Sequence, residues 1–257
     1  MENYNQQRDF SNYTVISSQQ ATGTGAISKK FMANVFGWMF IALGVSALVA
    51  FYFASNPAQF IDLMFEKTPA GGAKMGLLGW IVMLAPFGFA MLMTFAFNRL
   101  SAPLLTLFFL AFAGVMGITL SSVLMIYTAS SVLGCFVTAS GMFGVMAVMG
   151  YTTDKDLTSF GSILSMGLIG IIIASMINWF MHSEALGYII SIAGVAVFTG
   201  LTAYDVQKLK RIGAGIEFEG TPASDTKKLA LMGALNLYLD FINLFLFLLR
   251  LFGNRRN

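Results

Sequence analysis

The sequence predicts an all-α integral membrane protein whose chain crosses the bilayer seven times. Three observations lead to this class. Hydrophobic residues make up 57% of the 257 residues and charged residues only 11%, whereas a soluble domain carries about 25% charged residues. Apolar runs of about 20 residues, the length that spans the hydrocarbon core, recur along the chain. Short polar segments separate these runs, as loops between membrane helices would.

The first helix is expected over Phe31–Ala54 and the second over Met75–Phe97, with Pro86 as a kink. Residues 100–153 contain no Asp, Glu, Lys, Arg or His. At about 1.5 Å per residue this stretch is too long for one crossing and suits two, with a break near Thr128–Ser131. The other five helices are expected at Pro103–Tyr127, Val132–Tyr151, Phe160–Met181, Ala185–Val206 and Leu229–Phe252.

The loops predict the orientation and the limits of the membrane domain. Residues 1–30 are polar and are expected to form a disordered cytoplasmic tail, residues 31–253 the seven-helix membrane domain, and residues 254–257 a short basic tail. With the N-terminus inside, the cytoplasmic side holds most of the Lys and Arg residues, as membrane proteins prefer. Topology therefore explains the net charge of +3, and no nucleic-acid partner is expected. The single cysteine, Cys135, excludes an internal disulfide.

Glycine residues recur inside the predicted helices and predict close packing between them. They occur in pairs three or six residues apart, at Gly114 and Gly117, Gly141 and Gly144, Gly167 and Gly170, and Gly194 and Gly200.

Two aspartates, Asp205 and Asp240, are nearly the only acids within the predicted spans. Removing a carboxylate from water costs several kcal/mol unless it is paired, protonated or next to water. Asp205 ends the sixth helix and Asp240 lies in the first half of the seventh, and such consecutive helices are antiparallel neighbours. If the carboxyl groups meet, they should share a proton, and when both are ionised they could hold Ca²⁺. The pair therefore predicts an ion- or proton-handling site.

Plainer interpretations of the same residues stay open. Asp205 precedes Lys208 by three residues and could be an ordinary interfacial acid, while Asp240 could be a structural, hydrogen-bonded acid. Arg99 could pair with an acid of the site or only anchor the end of the second helix. The two aspartates also differ in predicted depth. The difference disappears only if the seventh helix begins inside the membrane near Leu231–Gly233, or if the sixth extends beyond it.

Three further polar residues, Tyr204, Asn236 and Tyr238, could support the aspartates through hydrogen bonds. The acids of the turn at 151–159 could cap the helix that follows it. The single histidine, His182, is expected at the outer membrane interface.

Three strings of the chain resemble the transmembrane Bax inhibitor motif family, also called Bax inhibitor-1-like, in its bacterial branch. They are TTDKDL at 152–157, GLTAYDVQ at 200–207 and ALNLYLDFINLFLFLLRLFG at 234–253. The resemblance covers residues 30 to 253 and implies a central seventh helix with six helices around it. It also implies a pH-sensitive Ca²⁺ leak, with Asp205 and Asp240 as the proton-sensing pair and Arg99 as a latch on one of them.

The resulting functional prediction is a pH-gated Ca²⁺ leak channel in a bacterial cytoplasmic (inner) membrane, not an enzyme. It would need no cofactor, because Ca²⁺ is the transported ion. Asp205 and Asp240 would bind Ca²⁺ only transiently. The expected partners are the lipid bilayer, protons, Ca²⁺ and another membrane protein such as a protease.

Three alternatives remain. One is a regulatory protein that conducts nothing and binds other membrane proteins. Another is an intramembrane aspartyl protease, which Tyr204 before Asp205 would suit, although the residues before Asp240 are bulky where that class has Gly-x-Gly. A proton-coupled transporter would need an inverted repeat, and the odd number of helices argues against it.

Overall fold

The computed structural model describes residues 25–67 and 72–256, and over these residues the chain is almost entirely helical, as predicted. Its elements are α1 (Ala26–Ser55), α2 (Pro57–Met64), β1 (Phe65–Lys67), β2 (Ala73–Met75), α3 (Leu77–Phe95), α4 (Ala102–Ile126), α5 (Ala129–Thr152), α6 (Thr158–Met181), α7 (Glu184–Glu219) and α8 (Ala223–Phe252). All of these helices except α2 are long and apolar enough to cross a membrane, which makes seven candidate spans among the described residues. The predicted helices one to seven correspond to α1 and α3 to α8. Most of the predicted N-terminal tail, residues 1–24, lies outside the described residues.

The predicted break within residues 100–153 is confirmed. Helix α4 ends at Ile126, and α5 begins at Ala129. Thr128 caps α5, because its hydroxyl oxygen accepts a hydrogen bond from the N–H of Ser131 at 3.4 Å. Pro86 lies within α3, as expected.

The connection between α1 and α3 holds elements that the sequence analysis did not predict. Helix α2 buries Phe60 and Met64 and exposes Ile61, and β1 pairs with β2 in an antiparallel register. Met75 pairs with Phe65 in this hairpin, so α3 begins after the predicted start of the second span. Eight helical residues and two three-residue strands are too short to give a span-length apolar signal.

The chain forms two compact units. The first comprises the residues up to Met125 together with Ile212–Leu235. In it, α1 and α4 approach closely: a Cβ added to Gly117 would lie 2.6 Å from the carbonyl oxygen of Ser46. The hydroxyl of Ser46 also donates a hydrogen bond to the carbonyl of Ala113 at 2.7 Å.

Glu217 caps the N-terminal end of α1 in the same unit. Its carboxylate accepts hydrogen bonds from the N–H groups of Gly25 at 3.0 Å and Ser28 at 3.4 Å. The first N–H groups of a helix have no partner within the helix, and a negative charge there is favourable. The C-terminal part of α7 therefore supplies the cap that α1 lacks in its own sequence.

The second unit comprises Ile126–Arg211 together with Asn236–Asn257. Helix α5 contacts α7 where Gly150 lies against the backbone of Ala203, with no room for a Cβ atom. Helix α5 contacts α8 through aromatic rings, since Phe136 and Phe143 both meet Phe241 edge-on, at 5.5 and 5.7 Å between centroids.

The glycine prediction holds for some positions and not for others. Gly117, Gly167, Gly194 and Gly200 lie against atoms of another helix, whereas a Cβ at Gly114, Gly141, Gly144 or Gly170 would meet nothing within 4 Å. The sequence could not separate these two groups, because the same residue type serves both.

The residues after α8 tie its end to the α4–α5 connection, also within the second unit. The N–H of Thr128 donates to the carbonyl of Asn254 at 3.0 Å, and the N–H of Arg256 donates to the carbonyl of Ile126 at 2.7 Å. The N–H of Asn254 donates in turn to the hydroxyl of Ser131 at 2.9 Å. The C-terminal end of α8 is therefore held by three hydrogen bonds.

Helices α7 and α8 are both longer than the predicted spans. Helix α7 contains 36 residues and continues to Glu219, and α8 begins at Ala223. Residues 208–219 are rich in charge and resemble a loop in composition, yet Leu209, Ile212 and Ile216 form a buried stripe at helical spacing. Gly220, with φ +64°, ends α7 in the left-handed conformation that glycine favours.

This extension removes the predicted difference in depth between the aspartates. Asp205 lies fourteen residues before the end of α7, and Asp240 lies seventeen residues after the start of α8. The second of the two solutions considered for the sequence is therefore the observed one: the sixth membrane helix extends beyond its apolar span.

Helix α8 is the most buried of the seven long helices. Within an apolar stretch of 18 residues in each helix, 72% of the residues are buried in α8, against at most 33% in the other six helices. High burial is what a central helix requires, and the central position itself stays a prediction.

Candidate functional site

The structure brings the side chains of Asp205 and Asp240 together in the second unit, close enough for their carboxyl groups to interact. Asp240 is only 5% exposed, whereas Asp205 is half-buried. A hydrogen bond between two carboxyl groups requires a proton on one of them, because an ionised carboxylate only accepts. A hydrogen bond at this contact would therefore make the two acids share a proton.

The second carboxyl oxygen of Asp240, Oδ2, is buried and has no hydrogen-bond partner among the described residues. An unsatisfied buried acceptor costs about 1–3 kcal/mol. Its neighbours along α8, Leu237 and Phe241, are buried and apolar, so they offer it no donor. A free carboxyl oxygen in such a place can take up a proton, a water molecule or a hard cation.

Lys208 supplies the positive charge that acts on Asp205. It follows Asp205 by three residues, which places both on one side of α7. Asp240 has no such compensation, since the charge that acts on it is that of Asp205. The two acids are thus unequal: one has a cation beside it and the other is enclosed by apolar side chains.

Arg99, the predicted latch, lies in the turn after α3, in the first unit. Its side chain is exposed, and its N–H donates to the carbonyl of Ala96 at 2.9 Å. Within the described part of that unit its guanidinium group makes no ion pair. Its role as a latch stays a prediction.

The three residues expected to support the pair occupy different environments. The ring of Tyr204 packs directly against Gly161 of α6. Tyr238 is fully buried in α8, and Asn236 is half-buried one turn before Asp240. Over the residues that the structure describes, no hydrogen bond joins Tyr204 or Asn236 to the aspartates, so their support also stays a prediction.

Gln207, two residues after Asp205, was not singled out in the sequence analysis as a residue of the site. Its side chain is 4% exposed and fastens α7 to the α5–α6 connection. Its Oε1 accepts a hydrogen bond from the N–H of Leu157 at 2.9 Å, and its Nε2 donates to the carbonyl of Lys155 at 2.8 Å. Both partners are backbone groups some fifty positions earlier in the chain, so no sequence pattern indicates this contact.

Two basic residues of α7 bind the end of α5, the α5–α6 connection and the start of α6. The Nζ of Lys210 donates to the carbonyl of Tyr151 at 2.7 Å and lies 5.2 Å from the centre of that ring. The guanidinium of Arg211 lies 2.7 Å from Oδ1 of Asp156 and 3.0 Å from the hydroxyl oxygen of Thr158. We call Gln207, Lys210 and Arg211 together the α7 clamp.

Asp156 is an exposed acid that binds the first residue of α6, and the N-cap residue of that helix, Leu157, makes no side-chain cap hydrogen bond. Its Oδ1 accepts hydrogen bonds from the hydroxyl of Thr158 at 2.6 Å and from the N–H of Thr158 at 2.9 Å. These two bonds, followed by the bond from Arg211, lower the pKa of Asp156 to about 2. A lowered pKa stabilises the fold at pH values above the ordinary value of about 4. That contribution is lost only as the pH falls toward 2, so Asp156 stays ionised near neutral pH.

We expect Gln207→Ala to lower the free energy of unfolding by about 1–3 kcal/mol, because it leaves two backbone groups, of Leu157 and Lys155, without partners. Thermal unfolding of the purified protein in detergent measures the loss. Gln59→Ala is the matched control: Gln59 is exposed, and among the described residues its side chain bonds only the hydroxyl of Tyr52, so we expect a loss of less than about 0.5 kcal/mol there. Equal losses in the two variants would contradict the role of Gln207.

No group of three or more His, Cys, Asp or Glu side chains that could hold a metal ion occurs among the described residues. The aspartate pair is therefore a contact of two acids, not a preformed metal cage.

Comparison with known proteins places the chain among a group of bacterial membrane proteins. A family model described as "Inhibitor of apoptosis-promoting Bax1" matches residues 28–257. The inner membrane protein YbhL of Escherichia coli is 45% identical over 226 residues, which cover 88% of this chain and 92% of that protein. An uncharacterized protein of Borreliella burgdorferi is 43% identical over 90% of this chain and 94% of its own length. An uncharacterized protein of Rickettsia prowazekii is 39% identical over 89% of this chain and 91% of its own length.

Proposed function

This chain belongs to the Bax inhibitor-1-like family. We propose that it is a pH-sensitive Ca²⁺ leak channel of a bacterial inner membrane. The name of its relative in Escherichia coli supports the inner-membrane location. The observation that carries the channel proposal is the close approach of the Asp205 and Asp240 carboxyl groups within helices otherwise suited to lipid. Buried ionisable residues in membrane helices are costly and usually serve ion or proton pathways.

In this proposal the pair is a switch with two charge states. With one proton shared, the two carboxyl groups attract each other and hold α7 against α8. When the proton leaves, two negative charges are in contact, and they repel strongly where the surroundings exclude water. The repulsion favours a state in which α7 and α8 separate, so a rise in pH opens the path and a fall in pH closes it.

The ionised pair would also attract the transported cation. Ca²⁺ takes 6–8 oxygen ligands, and Asp205 and Asp240 offer four carboxylate oxygens between them, so water must supply the rest. Binding of this kind is weak enough to release the ion, as conduction requires. We propose Arg99 as the latch that receives a carboxylate in one of the two states.

We propose transport in preference to catalysis. A protease that used Asp205 and Asp240 would need open backbone beside them to receive a substrate strand. Leu237 and Tyr238 fill that place, since both are completely buried next to Asp240. The remaining alternative is a regulator that binds other membrane proteins, such as a protease, and conducts nothing.

The proposal is tested by measuring Ca²⁺ entry into dye-loaded proteoliposomes between about pH 5 and pH 8. Over this range a shared carboxyl proton would be lost. We expect the wild-type leak to rise with pH and Asp205→Asn to abolish the rise. Asp156→Asn is the control, because the pKa of Asp156 is about 2 and its loss should leave the midpoint unchanged. A wild-type protein that is tight at every pH, or an Asp205→Asn variant that titrates like the wild type, would overturn the channel proposal. Capture of membrane partners would then be the next measurement.

A further inference from the structure

The contact between α7 and α8 continues beyond the aspartate pair toward the C-terminal end of α8. Asp240, Asn243 and Phe247 follow one another at spacings of three and four residues, so they lie along one face of α8. Seven residues beyond the paired Asp240, Phe247 meets α7 again: its ring lies 5.8 Å from that of Phe198, between centroids. Phe198 is in turn seven residues from Asp205, as an antiparallel pair of helices requires.

A glycine makes room for the ring of Phe247. A Cβ added to Gly194 would lie 2.5 Å from that ring, closer than real contacts allow. The ring therefore occupies the place of a side chain on α7, and Phe198 beside it is 5% exposed. Together the three residues form an apolar contact about 10 Å along the helix from the aspartates.

Polar side chains occupy the segment between the aspartates and these rings. Thr202, on α7, is fully buried, and its hydroxyl donates to the carbonyl of Phe198 at 2.8 Å. Asn243, on α8, is half-buried, and its Nδ2 donates to the carbonyl of Leu239 at 2.8 Å. Both side chains keep an oxygen that can accept a further hydrogen bond from water. The α7–α8 contact thus runs from charged through polar to aromatic residues.

We propose that Phe247, seated on Gly194 beside Phe198, is a second closure of the leak, in series with the aspartate pair. The inference rests on the proposed function and adds a hydrophobic gate to it. Aromatic side chains at a narrow point exclude water and therefore ions. This gate contains no titratable group, so it limits the rate of flux, while Asp205 and Asp240 set its dependence on pH.

We expect Phe247→Ala to raise Ca²⁺ flux at pH 8 by about tenfold or more while leaving the pH midpoint unchanged. Phe245→Ala is the matched control, because Phe245 lies on the same helix and is buried, but its ring meets Phe136 of α5 at 6.2 Å. Loss of a phenyl ring from either position loosens packing, and only the loss at Phe247 should open the path. Equal changes of flux in the two variants would overturn the gate.

A second measurement needs no conduction. In a Cys135→Ala background, which removes the single cysteine, Asn243→Cys can be labelled with a membrane-impermeant methanethiosulfonate reagent. We expect Phe247→Ala to speed the labelling at least about tenfold and Phe245→Ala to leave it unchanged. If every proteoliposome sample is tight to Ca²⁺ and the labelling still responds, the channel proposal fails and the shielding by Phe247 stands.

Unchanged labelling in a folded Phe247→Ala variant, judged by size-exclusion chromatography, overturns the gate whatever the flux. If that variant does not fold, Phe247→Leu replaces it. Leucine keeps an apolar filler but loses the ring, so we expect a smaller increase in both measurements, and no increase in either would again overturn the gate.

Discussion

Asp240→Asn should hold the Ca²⁺ leak at its low-pH level throughout the range from about pH 5 to pH 8. Asparagine has the shape of a protonated aspartate and keeps a donor toward Asp205, but it cannot gain a negative charge. The repulsion that is proposed to separate α7 from α8 can then no longer develop. We expect the same loss as for Asp205→Asn, because either substitution removes one of the two charges that must repel each other.

Proteoliposome flux at pH 5 and pH 8 measures the change, and the ratio of the two rates should fall from about tenfold or more in the wild type to about one. The control is Asp225→Asn, the same substitution in the first turn of α8, where the carboxylate is exposed and lies 3.5 Å from Lys228. That variant should keep the wild-type ratio. An Asp240→Asn protein whose leak still rises with pH would show that the pair is structural.

The second large effect is expected from Gly150→Ala in α5. The added methyl group would overlap the backbone of Ala203, including its carbonyl oxygen. Backbone atoms cannot rotate aside as the end of a side chain can, so α5 and α7 must move apart. Overpacking of this kind costs about 1–3 kcal/mol, and we expect the upper end of that range. Because Ala203 is two residues from Asp205, the leak and its pH midpoint should change as well.

Gly144→Ala is the matched control for this prediction. It makes the same substitution in the same helix, and a Cβ there would meet nothing within 4 Å. Replacing glycine by alanine in the middle of a helix then stabilises by about 0.5–1 kcal/mol. Thermal unfolding in detergent compares the two variants. A Gly150→Ala protein as stable as Gly144→Ala would mean that α5 and α7 do not touch at Gly150.

Much of the fold could be predicted because the bilayer imposes one simple rule on length and polarity. The seven long helices and the break after Ile126 follow from apolar runs, and Asp205 and Asp240 stand out because acids are rare within them. That rule does not apply to residues outside the membrane. The helical extension over residues 208–219 was missed because a buried stripe at Leu209, Ile212 and Ile216 is interrupted by charges that resemble a loop.

The remaining parts of the site depend on contacts that a single sequence does not contain. Gln207 binds backbone carbonyl and N–H groups, which every residue possesses, so nothing at Lys155 or Leu157 marks them as partners. Gly150 and Gly144 are the same residue in the same helix, and only the position of α7 makes one of them critical. Such specificity is a property of packing, which requires three-dimensional coordinates.

The hydrogen bonds that hold the tail at Asn254 and Arg256 anchor the C-terminal end of α8. If α8 tilts about this anchored end, each of its residues moves in proportion to its distance from that end. Asp240 lies twelve residues from the end of α8, about 18 Å, whereas Phe247 lies five residues away, about 8 Å. A tilt of α8 about that end would therefore displace Asp240 more than twice as far as Phe247, so a small movement at the ring would accompany a larger one at the acid.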